Sequence, residues 1–216
     1  MSARKRVGVL ISGRGSNLQA LIEACAAPDY PAEIVTVISN RPEALGLERA
    51  RKAGIAALAI DHKTYASRKT FDAALNGALC EAGVELVCSA GFMRLLTPAF
   101  VEAWRDRQIN VHPSLLPAFR GLRPHEQALA AGVLISGATV HFVRPEMDAG
   151  PILLQAAVPV LAGDTPDSLA ARVLEAEHVI YPKALALIAS GQAWVEGEAV
   201  RFASPELGRP VFLAEQ

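Results

Sequence analysis

The sequence predicts an α/β protein: a Rossmann-like, doubly wound sheet, parallel in its N-terminal half and mixed in its C-terminal part. Three observations predict it. Short, near-continuous apolar runs recur from Val7 to Ser89, as in strands buried on both faces of a parallel sheet. Stretches with helical spacing separate them, closed by glycine at Gly54 and Gly83. Such strand–helix repetition implies right-handed crossovers with helices on both faces.

Taken in order, Val7–Ile11 is the first buried strand, and Ser12-Gly13-Arg14-Gly15-Ser16-Asn17 turns it into a helix over Leu18–Ala24. Ile34–Ser39 is the second strand, Ala44–Ala53 a helix, and Ile55–Ile60 the third strand. A helix from about Ser67 to Ala82 leads to a strand at Glu85–Ser89. Thr97-Pro98, a cap followed by proline in the first turn, opens a short helix to Trp104. Ile109–His112 is a strand stopped by Pro113. A proline- and glycine-punctuated loop then reaches Arg123, followed by a helix to about Ala131. Ala138–Val143 and Ile152–Val160 are strands. Thr165-Pro166-Asp167 opens a long helix, expected to kink or break near Pro182 and to end at Gly191. A hairpin across Glu196-Gly197 joins Ala193–Val195 to Ala199–Phe202. With neither repeat nor linker, residues 1–216 read as a single domain. Its phosphate-binding half spans about 1–105 and its catalytic half about 106–216.

Composition narrows the function. Hydrophobic residues make up 51% and charged residues 20%, so a packed core is expected and disorder is not. A formal net charge of −1 argues against nucleic acid or an anionic membrane as the main partner, while leaving small anionic ligands open. Cys25, Cys80 and Cys88 lack metal-ligand or CxxC spacing and read as reduced core thiols of a cytosolic protein. The basic start, Met1-Ser2-Ala3-Arg4-Lys5-Arg6, precedes an apolar run too short for a signal peptide, and no stretch is long enough to cross a bilayer.

Ile109-Asn110-Val111-His112-Pro113 carries the strongest chemical signal. Period-two alternation puts Asn110 and His112 on one face, and Pro113 ends the strand with both at its tip. An amide and an imidazole there can donate two hydrogen bonds to one developing oxyanion, a protonated histidine best of all. The same pair also suits a capped turn beside a satisfied histidine. Gly13–Asn17 delivers a helix N-terminus, whose N–H groups and dipole favour phosphate. Leu18 replaces the third glycine of a dinucleotide fingerprint, and Ser39-Asn40 stands where a ribose-binding acid would be. A phosphate monoester therefore fits better than NAD or ATP; the alternative is a tight turn capped by Ser16.

Asp148, in Met147-Asp148-Ala149-Gly150-Pro151, is either a turn-former or the carboxylate that orients the strand-tip histidine and keeps it charged, with Glu146 and Asp164 as alternatives. His125 reads as exposed at a helix start, His141 as one residue of an alternating strand, and His178 as a core-facing or capping residue. No histidine or cysteine pair has ligand spacing, so no metal is expected.

Together, Gly13–Asn17, Asn110-Val111-His112-Pro113-Ser114-Leu115-Leu116-Pro117 and Met147–Pro151 resemble the phosphoribosylglycinamide formyltransferases, folate-dependent enzymes of purine biosynthesis. Ser89-Ala90-Gly91-Phe92-Met93-Arg94-Leu95-Leu96 and Gly137–Val143 share the resemblance, which covers about Arg6 to Val200. It implies the formyltransferase fold and 10-formyltetrahydrofolate as formyl-donor cosubstrate. Gly15, Ser16, Asn17 and Glu177 would bind phosphoribosylglycinamide. Arg68, Met93, Arg94, Leu95, Leu96, Asn110, Val143, Met147 and Asp148 would line the donor pocket, the Val143–Asp148 loop closing around the pterin. Asn110, His112 and Asp148 would be the catalytic trio. Asn110 and protonated His112 would hold the oxyanion formed when the glycinamide amine attacks the formyl carbon, and Asp148 would keep His112 charged; removing one such donor typically costs about 3 kcal/mol of barrier. The enzyme would be a monomer or homodimer.

The family often has a histidine where this chain has Arg123, which could instead attract the folate's glutamate tail. Another enzyme on the same core, methionyl-tRNA formyltransferase or formyltetrahydrofolate deformylase, would need an added domain for which 216 residues leave no room. A non-catalytic folate- or nucleotide-binding module would not need the intact polar trio.

Overall fold

Val7, Val9, Leu10 and Ile11 are wholly buried, 0% exposed, as the apolar run at the start of the chain predicts. They lie in β1 (Lys5–Ile11) of a computed structural model that describes residues 3–213. Met1 and Ser2, at the head of the basic N-terminal segment, lie outside the described residues. Two compact units divide between Asn110 and Val111.

The first unit continues with α1 (Ser16–Cys25), β2 (Ala32–Ser39), α2 (Leu45–Lys52), β3 (Ala56–Ala59), α3 (Arg68–Glu81), β4 (Leu86–Ser89) and α4 (Pro98–Ala103). It ends in β5 (Gln108–His112), which carries the chain into the second unit. The strands are all parallel and lie in the order β5-β4-β1-β2-β3. Leu10, Ile38 and Val87 of the sheet pack with Phe71, Leu75 and Leu79 of α3 and with Phe100 and Trp104 at α4, the apolar stripe of each helix facing the strands. Ser67 and Thr70 form a reciprocal capping box at the start of α3, and Thr97 accepts from Phe100 N–H at α4.

The second unit contains α5 (Pro124–Ala130), β6 (Ile135–Phe142), β7 (Ile152–Pro159), α6 (Pro166–Ala189), β8 (Ala193–Glu196), β9 (Ala199–Phe202) and β10 (Val211–Phe212). β6 and β7 are antiparallel, β10 adds parallel to β7, and β8 and β9 form the expected hairpin. The α/β class, parallel first and mixed afterwards, is therefore the observed one. α6 packs on β6 and β7.

Three expectations change. α6 runs unbroken for 24 residues through Pro182. Its buried face, with Ile180, Tyr181, Ala184 and Leu185 all 0% exposed, outweighs the missing N–H of the proline. β10 is new, a two-residue strand too short to carry a pattern. Cys25 and Cys88 are buried free thiols, but Cys80 is exposed on α3 and is not a core residue. No helix among the described residues is long and apolar enough to cross a membrane.

Candidate active site

In the first unit, the turn after β1 reaches α1 through Gly15, at φ 73, which serves as N-cap; no side chain caps the helix. The alternative of a turn capped by Ser16 is thereby removed, since Ser16 is the first helical residue. Glycine is required at position 15 twice over: for the left-handed backbone, and because a Cβ would lie 2.8 Å from Gly46 Cα at the start of α2. Gly46 N–H donates to Gly13 O at 3.0 Å, and Arg49 Nε donates to Arg14 O at 2.9 Å. With these two carbonyls engaged by α2, the N–H end of α1 keeps the positive partial charge suited to an anion.

Arg68 is exposed at the first position of α3, and Arg94 lies over the Phe71 ring, 5.3 Å from its centroid. Met93 and Leu95, between β4 and α4, are 65% and 57% exposed. Asn110 is half-buried in β5, paired in register with Ser89 of β4. It sits two residues before His112 in the same strand, so the two share a face.

In the second unit, His112 is 6% exposed. Its Nδ1 lies 3.5 Å from Asp148 Oδ2, and its Nε2 lies 3.0 Å from the carbonyl of Phe119. Both neighbours are acceptors, so only a ring protonated on both nitrogens has a donor for each. Asp148 Oδ2 also accepts the Gly121 N–H at 2.9 Å, and Oδ1 faces His141 Nε2 at 3.8 Å. Phe119 and Asp148 both have positive φ, at 54° and 52°. For a phenylalanine that backbone is a strained outlier, here beside the histidine it contacts. Asp148 is brought there by a tight return from β6 to β7: a Cβ on Gly150 would collide with the Phe142 carbonyl, so the loop folds back on the end of β6.

The competing acids are accounted for. Asp164 sits just before Thr165, the N-cap of α6, accepting from Leu161 N–H, Ser168 Oγ and Arg172, and Glu146 is an exposed partner of Arg120. Glu177 is buried on α6 at 6% exposure. Val143 is half-buried and Met147 is 49% exposed at the two ends of the loop, where Arg144 Nε pairs with Glu198 at 3.0 Å. Arg123 is exposed at the start of α5 and pairs with Glu126 at 3.5 Å.

Sequence reasoning missed two contributors. His141, passed over as one residue of a strand, is 2% exposed and meets Asp148; burial pushes its pKa down, opposed by the Phe142 carbonyl and the Asp148 charge. No local signal marked it, since β6 carries Ser136 and Thr139 as well. The Phe119 carbonyl had none either, being backbone. His125 is half-buried rather than exposed, and burial lowers its pKa as well. Among the described residues no group of three or more potential ligands could hold a metal.

Residues 5–185 match the family model described as formyl transferase. The chain belongs to that family. Similarity to formyl transferase relatives extends over most of it. It is 46% identical over 197 residues to the phosphoribosylglycinamide formyltransferase of Escherichia coli, spanning 88% of this chain and 93% of that protein. It is 53% identical over 188 residues to the bovine trifunctional purine biosynthetic protein adenosine-3; the match takes in 87% of this chain but spans only 19% of that protein's length. The crystal structure of glycinamide ribonucleotide transformylase 1 from Symbiobacterium toebii superposes with a TM-score of 0.92 at 51% identity, covering 94% of this chain and 96% of that one.

Proposed function

We propose that the chain transfers the formyl group of 10-formyltetrahydrofolate to the amine of N1-(5-phospho-D-ribosyl)glycinamide, giving the N-formyl product and tetrahydrofolate, a step of purine biosynthesis in the cytoplasm. The formyl transferase family membership and the 46% identity to the E. coli enzyme support the reaction class. The observation that carries the chemistry is the Asp148 carboxylate set against His112, whose ring faces oxygen on both nitrogens.

The amine attacks the formyl carbon and the carbonyl oxygen becomes an oxyanion. Asn110 and protonated His112 donate to it, and Asp148 keeps the ring charged and oriented. His112 Nε2 points away from Asp148, so it is the nitrogen that serves the substrate, exchanging the Phe119 carbonyl for the oxyanion. The C–N bond to the folate then breaks, and the proton lost by the amine reaches the departing nitrogen through His112 or a water. No acyl-enzyme forms. Gly15, Ser16 and Asn17 hold the phosphate and Glu177 the glycinamide end. Arg68, Met93–Leu96, Asn110, Val143, Met147 and Asp148 hold the donor.

The test is direct: mix the protein with both substrates and follow the folate absorbance. Turnover is expected in wild type and is lost in His112→Ala. Wild type without turnover, or an undiminished His112→Ala, defeats the reading.

A further inference from the structure

The stretch from Met93 to Leu96 leaves β4 through a turn at Gly91, φ 74. Its backbone is fastened at both ends by buried side chains from other elements. At the front, Met93 N–H donates to Ser12 Oγ at 2.8 Å; Ser12 directly follows β1 and is 4% exposed. The Ser12 hydroxyl donates in turn to Asn40 Oδ1 at 2.5 Å, and Asn40, just after β2, is 1% exposed. The ring Nδ1 of His62 lies 2.9 Å from the Asn40 carbonyl. At the back, Thr97 N–H donates to Asp72 Oδ2 at 2.6 Å, and Asp72, on α3, is 4% exposed.

A hydroxyl has one proton. With Asn40 taking it, Ser12 has only lone pairs for Met93, and the direction of the chain is fixed. Buried groups of this kind do not exchange a partner for solvent without cost. We propose that Ser12 and Asp72 are positioning residues for the formyl donor: they hold the Met93–Leu96 peptide groups in the conformation that meets it. This rests on Met93–Leu96 being a wall of the donor site. The Gly13–Asn17 turn is fastened separately, by Gly46 and Arg49, so loss of the Ser12 hydroxyl leaves the phosphate end in place.

Steady-state kinetics, each substrate varied with the other saturating, test the inference. Ser12→Ala raises KM for 10-formyltetrahydrofolate about tenfold, the size of one lost hydrogen bond, while KM for phosphoribosylglycinamide and kcat stay within about twofold. Asp72→Ala moves the same constant in the same direction. Ser12→Thr, which keeps the hydroxyl, restores the donor KM. Should either alanine variant fail to fold, Ser12→Cys, of similar size with a weak acceptor, raises the donor KM alone. Wild type without turnover overturns the proposed reaction itself. With wild type active, the positioning role is overturned by an unchanged donor KM, by both KM values rising together, or by Ser12→Thr matching Ser12→Ala.

Discussion

Asp148 Oδ2 lies 3.5 Å from His112 Nδ1 and simultaneously accepts the Gly121 N–H at 2.9 Å. The carboxylate therefore serves both the ring and the loop beyond Pro117. Asp148→Asn keeps an acceptor for Gly121 and removes the charge. We expect kcat to fall roughly 10²- to 10³-fold with little change in either KM, as for loss of one preorganised oxyanion-site contribution. A kcat within a few-fold of wild type would show that the charge is not needed.

His141 gives the fold a pH dependence. Burial holds its pKa below the ordinary 6.5; the Phe142 carbonyl and Asp148 oppose the shift, and the charges of His112 and Arg120 add to it. The unfolded chain binds that proton more readily, so stability is lost as pH falls below 6.5 toward the depressed folded value. His125 is shifted in the same direction. The urea midpoint of wild type should drop between pH 7.5 and 5.5, and His141→Gln and His125→Gln should each flatten the slope.

Asp164 has the opposite sign. Its hydrogen bonds from Arg172, Leu161 N–H and Ser168 hold its carboxyl far below the ordinary 3.8. Its contribution is present above that ordinary value and is lost as pH falls through the depressed folded one. Asp164→Asn should lower the urea midpoint at pH 7 and leave kcat alone. The gap from wild type should close in strong acid; a gap that persists there would point to packing instead.

Gly15→Ala tests the phosphate turn. The left-handed backbone costs an alanine about 1–2 kcal/mol, and its Cβ would press on Gly46. KM for phosphoribosylglycinamide should rise while the donor KM holds; equal rises would place the damage elsewhere.

The parallel half was legible because strands buried on both faces need unbroken apolar runs, and glycine closes the helices between them. That Asn110 and His112 share a face at a strand tip was legible from period-two alternation, whereas spacing alone left Asp148, Glu146 and Asp164 open as the acid beside the histidine; the structure sets Asp148 there. Pro182 misled, since a proline's cost is local whereas the burial of α6 is summed over its length. His141 and the Phe119 carbonyl stayed hidden because their importance lies in what the chain folds against them, which no local pattern records.

The three cysteines have a practical consequence. Burial pushes the Cys25 thiol up to about 11, and Cys88 is 0% exposed, whereas Cys80 stands in solvent on the outer side of α3. A maleimide dye added to the native protein should therefore react once, at Cys80, without any cysteine being engineered. That gives a fixed optical reporter on the same helix that carries Asp72.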